Sequence, residues 1–224
     1  MEYVVYDMEF MVTQSRQHLS DIIEIGAVKL VETGNGVVMS DIFQTYLQPT
    51  QALTPRTTAF TGIGPEQLQH APGFVQAAED FRRWLGDEGI AFLCSWGPDD
   101  LVQLLRHYEA HRVPPDRVRN HNDLQHLYAK VTPELEGKRV ALKKALAAND
   151  IPFFGKAHRA LDDAFNTAKL FRMLHPKLEL ERNRPSEGRS YATKLVYTTA
   201  AAYDAEPGEG KPFGKLAALL GMAM

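Results

Sequence analysis

The spacing of apolar residues along the chain changes character about a third of the way in. Residues 3–9, 22–31 and 37–47 are rich in Val, Ile and Tyr, and the last two runs are joined by Thr33-Gly34-Asn35-Gly36, a strong hairpin signal. Three antiparallel strands are expected there. From residue 74 the period becomes helical, with Phe74, Ala78, Phe81, Trp84 and Leu85 on one face, and a short apolar strand follows at 90–94. Asp99 and Asp100 open another helix, striped by Leu101, Leu104, Leu105 and Tyr108 and stopped by Pro114-Pro115. Helices are expected at 122–130 and 140–148. The last strong one covers 160–175, with Leu161, Ala164, Phe165, Ala168 and Phe171 as its stripe and Pro176 at its end. Strands first and alternating helices and strands afterwards describe an α/β sheet with an antiparallel edge, whose first strand is central and buried.

The pattern also divides the chain. Residues 1–177 read as one domain, while 178–215 are polar and irregular before the apolar ending Leu216-Ala217-Ala218-Leu219-Leu220. Residues 178–224 are therefore expected to form an extension. A flexible tail, a strap packed on the body and a homodimer contact are the readings open for it.

Composition adds limits. The 224 residues can bury one full core, and with 44% hydrophobic and 24% charged residues and no long apolar run, nothing is expected to span a membrane. A first strand that starts at once, without the regions of a secretory signal, points to the cytoplasm. Cys94 is the only cysteine, so no internal disulfide can form, and its neighbours Phe92 and Leu93 suggest a core position. The net charge of −3 lacks the global basic signature of many nucleic-acid binders, yet it is unevenly spread. Residues 1–101 carry 5 Lys/Arg against 14 Asp/Glu, and residues 102–159 carry 11 against 6. Two solvated surfaces would explain this, as would a metal-binding acidic centre beside cations that meet phosphates.

The candidate chemistry begins at Asp7 and Glu9. On a strand, side chains at i and i+2 share a face roughly 6.5–7 Å apart, within the span of one hydrated divalent ion or a pair, and carboxylate oxygens suit Mg²⁺ or Mn²⁺. Carboxylates on a buried strand are costly unless paired or metal-bound. Asp100 and Asp163 lie near helix starts, where each alone reads as a simple N-terminal charge. His107, His111, His121 and His126 have no comparable arrangement of acids and are expected at the surface.

As a set, Asp-x-Glu, then Asp, then His-x-x-x-x-Asp is far more specific. The segments YDMEF (residues 6–10), IIEIGAVKL (22–30), FTGI (60–63), WGPDDL (96–101) and HRALDDAFNTAKL (158–170) resemble the DEDDh family of 3′–5′ exonucleases. Phe10 and Trp96-Gly97 look most like its KapD-like and Eri-like branch, whose members include RNA exonucleases. The resemblance runs from about residue 3 to residue 175. It implies a ribonuclease H-like fold with a mixed five-stranded sheet flanked by helices. It also implies a reaction that uses two divalent ions, Mg²⁺ or Mn²⁺, held by Asp7, Glu9, Asp100 and Asp163, with His158 as general base toward water. Between adjacent acids, Asp100 is favoured because it precedes the apolar Leu101, as the family's second acid commonly does, leaving Asp99 as a helix cap. The step of five from His158 selects Asp163 over Asp162.

The implied partner is the 3′ end of a single-stranded nucleic acid, RNA favoured over DNA, cut to nucleoside 5′-monophosphates. Phe10 and Phe60 are the stacking candidates, Phe60 standing where related exonucleases often carry Leu, and core packing is the competing explanation for Phe60. Main-chain groups near Met8 and Glu9 could meet the terminal ribose, whose 2′-hydroxyl separates RNA from DNA. Arg159, Lys156, Lys143 and Lys144 are candidate phosphate contacts, although a solvated helix face explains them equally well. A DNA-trimming or proofreading exonuclease and a non-catalytic nucleic-acid-binding module are the rival readings.

Overall fold

The computed structural model describes residues 1–12, 19–86 and 92–185. Its sheet has five strands, β1 (Glu2–Phe10), β2 (Ile22–Thr33), β3 (Gly36–Tyr46), β4 (Phe92–Ser95) and β5 (Asn122–Asp123), in the order β3-β2-β1-β4-β5. β1 pairs antiparallel with β2 and parallel with β4, so it is central, and the sheet is mixed as expected. The β2–β3 hairpin closes where Thr33 pairs with Gly36. Gly36 takes φ of +106° there, a backbone conformation that glycine adopts without penalty.

Alternation along β1 sends its side chains into two cores. Val4, Tyr6 and Met8 join Phe81, Leu101, Leu104 and Tyr108 of α3 (Phe74–Leu85) and α4 (Asp99–Ala110). Tyr3 and Val5 join Leu124 and Leu127 of α5 (Leu124–Val131) and Ala164, Ala168 and Phe171 of α7 (Ala160–Leu174). Each large apolar side chain so buried contributes about 1.5–3 kcal/mol. Alanines on the sheet side of α7 allow it to lie close. Cys94 is fully buried between the layers, and burial pushes its thiol pKa up.

Several local expectations need correction. The predicted helix at 122–130 begins instead with the two-residue strand β5, and Asp123 then caps α5 by accepting from the His126 N–H at 3.0 Å. Two residues of strand leave too short an alternation to read. Two short helices, α1 (Pro55–Thr61) and α2 (Pro65–Leu68), were not anticipated. Both start at a proline, and α1 is held by the Thr54 hydroxyl accepting from the Thr57 N–H, so local capping rather than an apolar stripe defines it. α6 (Leu142–Ala147) falls within the expected 140–148.

Asp99 is the first helical residue of α4 and not its cap, which is Pro98. His107 and His121 are buried, at 2% and 5% exposure, rather than on the surface. The ring of His107 donates from Nε2 to the Ser20 carbonyl at 2.9 Å. His121 lies 3.0 Å from the Ser95 hydroxyl, which itself donates to the Gly97 carbonyl, and desolvation lowers the His121 pKa to about 3. One paired ring nitrogen on each, Nε2 to Ser20 for His107 and Nε2 to Ser95 for His121, lets both rings enter the core, while Nδ1 of His107 is buried without a partner among the described residues. His111 and His126 are exposed as expected.

Of the expected extension, residues 178–185 lie along the β5 edge. Asn183 exchanges main-chain and side-chain hydrogen bonds with Asn120 and His121, and the Glu181 N–H donates to Asn122 at 2.8 Å. Residues 186–224, including the apolar ending, and residues 90–91 of the expected fourth strand lie outside the described residues. Among the described residues no helix is long and apolar enough to cross a membrane.

Candidate active site

Asp7 and Glu9 project from β1 on the α7 side of the sheet. Across the ladder Asp7 faces Gly26 and Glu9 faces Glu24. A Cβ on Gly26 would stand 2.1 Å from the Leu161 nitrogen and 2.3 Å from the Ala160 carbonyl carbon. The first turn of α7 thus occupies the space a side chain would need, which brings Asp163 to β1. Ligand atoms of Glu9, His158 and Asp163 all lie within 4.8 Å of one another. Asp100, buried on the first turn of α4, approaches from beside β1 and accepts the Met8 N–H on Oδ1 at 3.2 Å.

His158 stands just before Arg159, the N-cap of α7, in a left-handed conformation with φ of +63°. Its main-chain N–H donates to Asp163 Oδ2 at 2.8 Å, so the step of five residues closes a turn that ties the Asp163 side chain to the His158 backbone. The neighbouring Asp162 instead accepts the Lys156 N–H at 2.8 Å and packs against Gly155. Phe60, at the end of α1, covers the imidazole with ring centroids 4.1 Å apart and planes 32° apart.

Crowded acids repel one another. Burial, then Asp100, Asp163 and Glu9, raises the Asp7 pKa well above the ordinary carboxylate range. Glu9 is raised by burial, Asp163, Glu24 and Asp100, with Arg159 opposing. Asp100 is raised by burial and Asp99, with the Met8 N–H opposing. Such hard oxygen donors, mutually repelling and gathered at one strand end, fit divalent cations. Among the described residues, Glu9, His158 and Asp163 form the group whose ligand atoms stand close enough to share an ion, and Asp7 and Asp100 add negative charge beside it.

The substrate candidates fall in different places. Met8 has its side chain in the α3–α4 core and its N–H engaged by Asp100. Phe10 is partly buried against that same core. Phe60 is partly exposed beside His158. Arg159 binds Glu24, its Nε standing 3.2 Å from Oε2, and donates to the Tyr46 hydroxyl. Lys143, Lys144 and Lys156 are exposed. A separate cavity of about 460 Å³, lined by Asp21, Phe74, His107 and His111 among others, includes none of the five central residues.

Two residues important to this geometry were not singled out from sequence. Glu24 and Gly26 both lie in Ile22-Ile23-Glu24-Ile25-Gly26. A lone acid inside an apolar strand was the available signal for Glu24, and a glycine inside that strand, marking a close backbone approach, was the signal for Gly26.

A mixed sheet in the order 3-2-1-4-5, with acids gathered at the end of its central strand, is the ribonuclease H-like fold. Residues 4–171 match the RNase T exonuclease family, and the chain belongs to that family, in its DEDDh 3′–5′ exonuclease group. Among curated proteins it is 31% identical over 193 residues to ERI1 exoribonuclease 2 of Xenopus laevis, a match covering 75% of this chain and 27% of that protein. It is 36% identical over 86 residues to DNA polymerase III PolC-type of Bacillus subtilis (strain 168), covering 38% of this chain and 6% of that one. The chain therefore spans less than a third of the length of either relative. The nuclease domain of 3′hExo, a DEDDh family member solved with rAMP bound, shares the fold with a TM-score of 0.69 and 24% identity, covering 82% of this chain and 96% of that one.

Proposed function

We propose that this chain is a metal-dependent 3′–5′ exonuclease that shortens single-stranded or short RNA and releases nucleoside 5′-monophosphates. The observation that carries the reading is the convergence of Asp7, Glu9, Asp100 and Asp163 with His158 at the end of β1, where neighbouring charge and burial raise three of the carboxylates. Two bound Mg²⁺ or Mn²⁺ ions would supply charge neutralisation at the scissile phosphate and at the departing 3′ oxygen. Asp7, Glu9, Asp100 and Asp163 would hold those ions. His158 accepts the proton of the attacking water on a ring nitrogen, while its main-chain N–H bond to Asp163 fixes its backbone and the Phe60 ring covers the imidazole. Phe60 also offers an apolar face on which a terminal base can stack, whereas Phe10 packs against the α3–α4 core. No covalent enzyme intermediate is needed.

RNA is favoured by the similarity to ERI1 exoribonuclease 2. The shorter match to a PolC-type DNA polymerase III keeps DNA trimming or proofreading as the second reading. A time course on 5′-labelled RNA and DNA strands, with Mg²⁺ or Mn²⁺ and with EDTA, tests both. A ladder shortening from the 3′ end only with metal is expected, faster on RNA. Equal or faster DNA cleavage would favour the second reading. Binding without cleavage would indicate a non-catalytic module, and full activity in Asp7→Asn would overturn the mechanism.

A further inference from the structure

Glu24 is a fully buried carboxylate beside the active site that has no place in the metal-binding set. It stands across the ladder from Glu9, on the same face of the sheet. Both of its oxygens are in use. Oε2 accepts the Arg159 Nε–H at 3.2 Å and the Ala160 N–H at 3.0 Å. Oε1 accepts the Gln44 side-chain amide at 2.6 Å and Arg159 Nη2 at 3.4 Å. Arg159 also donates to the Tyr46 hydroxyl and lies with its guanidinium carbon 5.5 Å from the centre of the Tyr46 ring.

These bonds grip the chain immediately after His158. A non-glycine residue with φ of +63° persists only where its surroundings hold it. Asp163 holds His158 by its main-chain N–H, and Glu24 holds the next two residues by two side-chain bonds from Arg159 and one main-chain bond from Ala160. We propose that Glu24, acting through Arg159 and Ala160, is a positioning residue that sets the imidazole of His158 and the first turn of α7, and that Arg159 serves this clamp rather than the substrate phosphates. The inference deepens the exonuclease reading and rests on it. A guanidinium fork shared between a buried carboxylate and a tyrosine hydroxyl is already committed in geometry, and a phosphate would have to displace those partners.

Glu24→Gln, Arg159→Gln and their double variant test the clamp in the full chain, with kcat and KM on a 5′-labelled RNA strand and amide hydrogen exchange on each protein. The wild type comes first. An inactive wild type would count against the exonuclease reading, and the exchange data alone would then decide the clamp. The clamp predicts that each single variant loses kcat by about 10- to 100-fold, as expected for a small misplacement of a reacting group, with KM within about twofold. The double variant should be no slower than the slower single one, since the two residues act as a unit. Exchange should quicken at residues 158–163 and stay unchanged in β1 and α4. A many-fold rise in KM at unchanged kcat for Arg159→Gln would assign Arg159 to the substrate and overturn the proposal. Additive losses, or unaltered exchange at 158–163, would do the same. Tyr46→Phe, which removes one Arg159 partner and leaves Glu24 intact, is the milder variant if Glu24→Gln fails to fold. It should lower kcat by a few-fold without raising KM, and a wild-type kcat there, with unchanged exchange, would overturn the clamp.

Discussion

Gly26 faces Asp7 across the β1–β2 ladder, and the backbone of α7 stands where a Gly26 side chain would be. The distance between the Asp-x-Glu strand and the His-x-x-x-x-Asp helix is therefore set by the absence of one methyl group. Gly26→Ala should push α7 off the sheet, destabilise the protein by about 1–3 kcal/mol or more and lower activity further than its stability loss explains. Thermal unfolding and kcat measured on the same preparation check this. Unchanged activity would mean that the helix has slack.

Removing one of the repelling acids should separate stability from function. Asp7→Asn should abolish 3′-end shortening while leaving the metal-free protein at least as stable as the wild type, because burial and the charges of Asp100, Asp163 and Glu9 all oppose ionisation at that position. Unfolding in EDTA measures the stability. A less stable metal-free Asn variant would show that Asp7 holds the fold as well as the ions.

The same shifts set the pH dependence of the metal-free protein. The folded-state pKa values of Asp7, Glu9 and Asp100 lie above their unfolded values. Between the two values the folded state binds more protons, so stability falls as pH rises. These groups impose no penalty below the ordinary carboxylate range and the full penalty above their raised values. In EDTA the unfolding temperature should therefore decline as pH rises from about 4 toward neutrality. Mg²⁺ or Mn²⁺ should reverse the decline, adding about 2.7 kcal/mol at a hundredfold excess over Kd, with a larger gain at higher pH because protons compete for the same oxygens. A pH-independent gain would argue against those carboxylates as ligands.

His158 combines two roles that substitution can divide. His158→Ala should lower kcat by about 10²–10⁴-fold, the usual range for loss of a general base, while metal still raises the unfolding temperature, since the carboxylates remain. Single-turnover cleavage and thermal shift on one sample provide the check. Near wild-type cleavage would remove His158 from the chemistry.

Phe60 lies against the imidazole, so its removal should affect both base stacking and His158. Phe60→Leu, which keeps an apolar wedge, should change KM by a few-fold, whereas Phe60→Ala should cost about 1–3 kcal/mol of substrate binding, the range for a base–aromatic stack. Affinity for a short RNA in Ca²⁺ or EDTA, where cleavage is suppressed, measures this directly. Equal affinities for wild type and Phe60→Ala would leave core packing as the explanation of Phe60.

Periodicity alone revealed the three long strands and the helices α3, α4 and α7, because each repeats its apolar positions often enough to be read. It could not reveal α1, α2 and β5, which are too short to establish a period and are held by caps and neighbouring strands. Asp7 and Glu9 stood out through alternation on one strand, whereas His158 and Asp163 gained meaning only as part of a set that resembles the DEDDh family. The buried histidines were misjudged for a different reason. Whether an imidazole sits inside depends on partners distant in sequence, Ser20 for His107 and Ser95 for His121.

By itself the chain's order of residues determined the central acidic strand and the helix that carries Asp163, since these depend on local alternation and periodicity, and its motifs taken together carried the resemblance to the family. Only the tertiary structure decided how closely they meet. The bare Cα of Gly26, the four donors gathered on Glu24 and the carboxylate of Asp100 on the Met8 N–H join segments separated by up to 136 residues. Contacts of that kind are set by packing between elements, and no periodicity within one element carries them.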